Sequence, residues 1–350
     1  MKLLWYYFIK ILVKSSLFFY IKKIKVTGKE NIPKKGAVLF MVNHPNGLID
    51  PLIVAVNNPR VQHFLVRAAT FKKPLIKKFL GTLNLMPIYR IRDGVQQLGR
   101  NQEIFETCFS ILNNQKSLMI FPEGSHDKRR TVRPLSKGFS RIVFGALEKN
   151  PNLQIHIIPV GLTYQNPSVY PSNVCLQYGT SILANDYFKP ETINSEIKRL
   201  KDAISSQLKT LSVHIPADDN YQKTLDKFNA ANVDFTCVDE VNKMVESGVI
   251  LKRKRTFNFF DFLKPIIILN SIIPWIIWKY AEHKNDEFEF IDTFRYGICT
   301  LAFGLFYILQ TNLVSWFLTW KIGLIYLASS LILLLIYSKT HSTPAKLPLE

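Results

Sequence analysis

Between Lys22 and Lys209, short apolar runs punctuate the chain: KIKVTG, AVLFMV, VQHFLV, LNLMPIY, SLMIF, IHIIPVGLTY and VCLQYG. They are too short for helices, rich in branched aliphatic residues and bounded by Gly, Pro, Asn or charge, which predicts strands. Between them, apolar positions recur at helical spacing: after Pro74, from Val95 to Leu112, and from Ser136 to Leu147. Strands alternating with helices predict an α/β fold, a mixed sheet flanked by helices.

The two ends read differently. The first, MKLLWYYFIKILVKSSLFFYIKKIK, is interrupted by Lys10 and Lys14, and no small-residue cleavage site follows, which argues against a signal peptide. Trp5, Phe8, Leu12 and Phe19 recur near helical spacing, as in an amphipathic helix lying in a membrane interface. The same pattern fits a core helix with solvated lysines.

After Leu251 comes KRKR (Lys252 to Arg255), then IIILNSIIPWIIW, an acidic loop and two long apolar runs. Tyr296 to Leu318 carries no charge and is long enough to span a bilayer, whereas Ile322 to Tyr337 is shorter. Trp316, Trp320 and Lys321 lie where interfacial anchors belong. These features predict a C-terminal transmembrane helical hairpin with both ends cytoplasmic. The Ile266 to Trp278 run, with Pro274, is open between an interfacial, a re-entrant and a third spanning segment. The expected organisation is therefore 1–21 as an interfacial helix, 22–250 as the catalytic domain, and 251–350 as a membrane anchor with two or three hydrophobic segments.

Charge sharpens this picture. Lys+Arg 45 against Asp+Glu 26 give a formal charge of +19, which draws the chain to polyanions. With 47% hydrophobic residues the partner is a membrane surface, and no nucleic acid is expected. Cys108, Cys175, Cys237 and Cys299 are scattered without a CxxC, so reduced thiols are expected rather than disulfides or metal ligands.

Candidate chemistry gathers at strand ends. In NHPNGLIDP, directly after AVLFMV, His44 and Asp50 stand six positions apart, about 600° of α-helix, and so share no helical face. They meet only if Pro45, Asn46 and Gly47 make a tight turn. A carboxylate on one imidazole nitrogen would fix the tautomer and raise the basicity of the other, making a general base for an alcohol. Asp50 before Pro51 also reads as an ordinary helix N-cap. A second constellation, FPEGSHDKRR, follows SLMI, and KGFSR opens the next helix. In LMPIYRIR, Arg90 and Arg92 follow another strand, and arginine suits phosphate.

NHPNGLIDP, MPIYR, FPEGSHD with KGFSR, and IIPVGLTY resemble, in order, the four blocks of the glycerolipid acyltransferase family, the membrane-bound glycerol-3-phosphate and lysophosphatidic acid acyltransferases. The resemblance spans roughly Gly28 to Tyr164. The five residues between His44 and Asp50, one more than usual, and the Ser125-His126-Asp127 run resemble glycerol-3-phosphate acyltransferases of fungal type, and Ser125 stands where many relatives have threonine.

The resemblance implies His44 and Asp50 as the catalytic pair. It also implies a substrate site with Arg90, Glu123, Gly124, Ser125, Lys137 and Arg141, and an acyl site shaped by Pro159. Glu123 would repel phosphate, so it is expected to bind a hydroxyl or brace an arginine. The stretch from Asn185 to Glu246 is expected to form a helical subdomain over the acyl site. No bound cofactor and no metal are implied. The co-substrate would be acyl-CoA or an acyl carrier protein thioester, and the favoured acceptor 1-acylglycerol 3-phosphate, with glycerol 3-phosphate as the alternative. The catalytic domain would face the cytoplasm and meet membrane lipids. A metal phosphohydrolase and a membrane-tethered, non-enzymatic scaffold or nucleic-acid binder are the rival readings.

Overall fold

The computed structural model describes residues 1–89, 99, 101–253, 258–284 and 290–345. Eight strands form one sheet: β1 (Lys23–Thr27), β2 (Ala37–Val42), β3 (Gln62–Arg67), β4 (Leu85–Ile88), β5 (Ser117–Ile120), β6 (Ile155–Tyr164), β7 (Asn173–Tyr178) and β8 (Ile182–Leu183). Their order is β1-β7-β6-β2-β5-β3-β4, with β8 also beside β6. β2 pairs parallel with both β5 and β6, and β6 pairs antiparallel with β7, so the sheet is mixed. The seven apolar runs are β1 to β7; only two-residue β8 has no counterpart among them.

The unbroken apolar run AVLFMV follows from where β2 lies. All six of its residues are fully buried, as in a central parallel strand covered on both faces. Alternation sends Leu39 and Met41 to one core, with Leu112 of α4 (Asn101–Asn113), Phe139 of α5 (Gly138–Lys149) and Leu200 of α6 (Ile193–Leu211). Val38, Phe40 and Val42 face the other core, with Leu17 and Tyr20 of α1 (Lys2–Tyr20) and Ile49 and Ile53 of α2 (Ile49–Asn57). Cutting Phe40 to alanine would cost about 3–5 kcal/mol.

A proline in a central strand needs explaining. Pro159 is buried in β6, in register with Met41. Its carbonyl accepts the Gly179 N–H, so the side lacking its own N–H faces the gap between the β8 pairing at Ile157 and the β7 pairing at Val160.

The helical stretch after Asn185 does not form one subdomain. α6 belongs to the layer covering the sheet. α7 (Tyr221–Ala230) and α8 (Val238–Ser247) close a small core of their own against Cys175, through Phe228, Phe235 and Val241. The four cysteines are free thiols.

Among the described residues, three helices are long and apolar enough to cross a membrane: α1, α11 (Ile291–Phe317) and α12 (Trp320–Thr340). α12 is longer than its apolar run because Trp320 and Lys321 enter its first turn, behind a Thr319 cap, and Ser338 to Thr340 complete its last. Before α11, the stretch Phe259–Asn270, which ends in α9 (Lys264–Asn270), meets α10 (Ile272–His283) at a bend of 91°. That bend makes the Pro274 segment a broken span or a re-entrant loop.

α1 touches the sheet and its covering elements along its length. The Trp5 indole donates to Thr82 Oγ1 (2.9 Å), the Tyr6 hydroxyl accepts from Gln62 N–H (3.1 Å), and Lys10 donates to the Asn58 carbonyl (2.5 Å). Its opposite face leaves Leu4, Phe8 and Ile11 exposed. Beside it, α3 (Pro74–Thr82) likewise exposes Leu75, Ile76 and Phe79.

Candidate active site

The PNG turn folds Asp50 back onto His44. His44 Nδ1 lies 2.8 Å from Asp50 Oδ2, and the same oxygen accepts the Asn46 N–H at 2.7 Å. Asp50 Oδ1 accepts the Tyr164 hydroxyl at 2.6 Å. The helix begins two residues earlier than an Asp50 cap would place it, with Leu48 at its N-cap and Asp50 inside its first turn. Asp50 is therefore no helix cap, and its carboxylate points back over the turn.

Asp50 is wholly buried, and burial pushes its carboxyl well above the usual carboxylate range. The bonds from Tyr164 and Asn46 oppose that rise. Burial, and then the Asp50 carboxylate, push the Tyr164 phenol up in turn. The His44 ring, 13% exposed, stacks on Phe121 with centroids 4.0 Å apart and meets the His126 ring edge-on at 5.6 Å.

Because β2 and β5 are parallel neighbours, the loops leaving them sit side by side. The Asp127 N–H donates to the His44 carbonyl at 2.9 Å and ties the two loops together. In the second loop Glu123, its side chain 3% exposed, forms an ion pair with Arg133 at 2.7 Å. Arg133 also donates to Ser125 Oγ at 2.8 Å and to the Ser125 carbonyl. Burial raises the Glu123 carboxyl while Arg133 pulls it down. Gly124 has φ +79°, a left-handed conformation that side chains other than glycine disfavour.

The basic run after Asp127 is largely committed to structure. Arg129 pairs with Asp127 at 2.7 Å. Arg130 is buried, donates to the Tyr164 and Gln165 carbonyls at 2.8 and 2.7 Å, and lies 3.5 Å from the centre of the Phe235 ring. Burial pushes its guanidinium down to about 9. The Ser136 N–H donates to the Pro122 carbonyl at 2.8 Å, holding the start of α5 beside the turn, with Lys137 at its N-cap and Lys137 and Arg141 exposed. Arg90 and Arg92 lie outside the described residues, as do Lys254 and Arg255.

No local signal in the sequence marks Tyr164, Asn46 or Arg133 as site residues. Tyr164 ends IIPVGLTY, and Asn46 reads as a turn former. Arg133 stands ten positions from Glu123, at no periodic spacing. Among the described residues no group of three or more His, Cys, Asp or Glu side chains is set to hold a metal.

Residues 23–163 match the acyltransferase family model. Over 115 residues the chain is 30% identical to glycerol-3-phosphate O-acyltransferase 1 of Saccharomyces cerevisiae, covering 31% of this chain and 15% of that protein. It is 26% identical over 113 residues to glycerol-3-phosphate O-acyltransferase 2 of the same yeast, covering 30% of this chain and again 15% of the relative. The matches thus span about a seventh of the yeast proteins. A 1-acyl-sn-glycerol-3-phosphate acyltransferase of Borreliella burgdorferi is 25% identical over 211 residues, 57% of this chain and 78% of the relative. The crystal structure of the 1-acyl-sn-glycerophosphate (LPA) acyltransferase PlsC of Thermotoga maritima overlaps 57% of this chain and 78% of its own, at TM-score 0.42 and 17% identity. What the chain shares with the acyltransferase family is thus the segment 23–163, which holds the His44–Asp50 turn and the Glu123 loop.

Proposed function

We propose that the protein is a membrane-bound O-acyltransferase of glycerolipid synthesis. It moves a fatty acyl group from acyl-CoA or an acyl carrier protein thioester to the hydroxyl of 1-acylglycerol 3-phosphate, giving phosphatidic acid. The observation that carries this reading is the 2.8 Å contact between His44 Nδ1 and the buried Asp50 carboxylate.

With Nδ1 committed to Asp50, Nε2 is the basic atom. It takes the proton of the acceptor hydroxyl as that oxygen attacks the thioester carbonyl, and Asp50 stabilises the imidazolium. Backbone N–H groups at the strand ends hold the oxyanion. Collapse expels the thiolate, which recovers the proton from His44, so no acyl-enzyme and no cofactor are needed. Arg90 takes the acceptor's phosphate, with Gly124 and Ser125 shaping that side and Lys137 and Arg141 adding positive charge at its mouth. Glu123 acts through Arg133, holding the second loop in shape. Pro159 acts through the course of β6, since it is buried.

The domains follow the same logic. Residues 22–250 carry the chemistry, α1 lies in the membrane interface, and 251–350 anchor the chain with the catalytic face toward the cytoplasm, where lysines and arginines concentrate.

The preference for 1-acylglycerol 3-phosphate draws support from the Borreliella relative, matched over 78% of its length. Glycerol 3-phosphate is favoured instead by the five-residue spacing between His44 and Asp50 and by the two yeast relatives. Purified full-length protein given labelled acyl-CoA or acyl carrier protein thioester and each acceptor separately decides between them. Labelled phosphatidic acid supports the first acceptor, and labelled lysophosphatidic acid the second. No labelled product with any combination contradicts the proposal.

A further inference from the structure

We propose that Asp292, in the first turn of α11, is a positioning residue for the His44–Asp50 pair and acts through Asn46; this rests on the acyltransferase reading above. Asp292 is buried, 4% exposed, and its Oδ2 accepts the Asn46 side-chain N–H at 2.6 Å. Asn46 is fully buried, and its backbone N–H is the donor, at 2.7 Å, to the Asp50 oxygen that faces His44. One residue therefore connects the two carboxylates, its side chain on Asp292 and its main chain on Asp50.

The rest of the first turn of α11 grips the same loop. Thr293 Oγ1 accepts the Leu48 N–H at 3.1 Å, and it lies 2.9 Å from where a Cβ on Gly47 would stand. A side chain at position 47 would push against the Thr293 hydroxyl at the start of α11. Phe290, just before α11, meets the His126 ring edge-on at 4.6 Å. From the other side the Tyr20 hydroxyl of α1 donates to Asp292 Oδ1. Arg295 Nη1 lies 3.8 Å from that oxygen, and Arg295 is itself bonded to the Ser168 carbonyl at 2.6 Å. α1 and α11 thus converge on a carboxylate whose partner is the catalytic turn.

A buried carboxylate is costly, and a purely packing contact between helix and domain would be served by apolar groups. Here its charge-assisted bond restricts the Asn46 side chain, and through it the main-chain N–H that orients Asp50. Asp292 is placed to touch the turn and not the substrate. Its loss therefore lowers turnover and leaves substrate binding alone.

The test uses full-length protein in lipid nanodiscs, with Asp292→Ala, Asn46→Ala and the double variant. The readouts are kcat and KM for both substrates, and the ¹⁵N signal of the His44 ring, assigned by its absence in His44→Gln. By analogy with other residues that orient catalytic histidines, kcat is expected to fall about 10–100-fold. Both KM values should stay within about twofold, and the double variant should be no slower than the slower single one. Asp292→Asn, which keeps the side-chain volume, is read the same way if the alanine variant does not fold. Wild-type kcat in Asp292→Ala or Asp292→Asn, a change in KM alone, or fully additive losses would overturn the proposal. If the wild type transfers no acyl group, the acyltransferase reading fails by itself. The ring signal then decides the link: a shift in the Asp292 variants supports it, and an unchanged signal refutes it.

Discussion

Tyr164, the last residue of β6, donates its hydroxyl at 2.6 Å to the oxygen of Asp50 that His44 does not use. The carboxylate is thus held at both ends, by the local turn through Asn46 and by the sheet through Tyr164. A histidine-aspartate pair spread over the PNG turn and the first turn of α2 is thereby tied to a central strand.

Tyr164→Phe removes one of the two bonds that favour ionised Asp50. Burial already raises that carboxyl, and Tyr164 and Asn46 pull it down, so losing the hydroxyl raises it further. Asp50 must be ionised to stabilise the imidazolium. The acidic limb of the kcat profile should therefore move to higher pH, and turnover at neutral pH should drop roughly tenfold, the equivalent of ~1.4 kcal/mol. A pH profile of the variant matching wild type would refute this role.

Arg133→Ala strands the Glu123 carboxylate, whose side chain is 3% exposed, without its ion-pair partner. The expected loss is about 3–5 kcal/mol of stability, seen as a lower Tm in detergent. Adding Glu123→Gln should recover part of it, because the unpaired charge is gone. An unchanged Tm in Arg133→Ala would mean that the pair does not hold the second loop.

Arg90, on MPIYR and outside the described residues, is tested by kinetics. Arg90→Ala should raise the acceptor KM while sparing the thioester KM, because a bidentate phosphate contact is lost. An unchanged acceptor KM removes Arg90 from the phosphate site.

α1 is long enough to span a bilayer, yet both its ends are bonded to the 22–250 domain, at Trp5 to Thr82 and at the Phe19 carbonyl to the Tyr170 hydroxyl. Spin labels at Leu4→Cys, Ile11→Cys and Phe18→Cys, in a background lacking the native cysteines, should all report one shallow depth. A depth that rises to the bilayer centre and falls again would make α1 a span.

Much of the fold is legible in the chain because strands and membrane helices leave local signatures. The run AVLFMV announces a strand buried on both faces, and Tyr296 to Leu318 announces a spanning helix. The proximity of His44 to Asp50 is legible because Pro45, Asn46 and Gly47 allow little but a turn. The remainder depends on contacts between distant positions, which no periodicity records. Tyr164 is 114 positions from Asp50, and Asp292 is 246 from Asn46. The start of α2 lies two residues before the one the sequence suggests, because Asp50 before Pro51 has every local mark of a cap while its oxygens are taken by His44, Asn46 and Tyr164. The bend between Asn270 and Ile272 is likewise invisible to hydropathy, which sees one apolar run.

The proposed mechanism makes His44 the base of an acyl transfer, oriented by Asp50. The most direct measurement compares wild type, His44→Ala and Asp50→Asn, equally folded by Tm, for acyl transfer from thioester to a glycerol phosphate acceptor. His44→Ala should give no detectable product, and Asp50→Asn should lose several orders of magnitude in rate. Product formed by His44→Ala at the wild-type rate would contradict that mechanism.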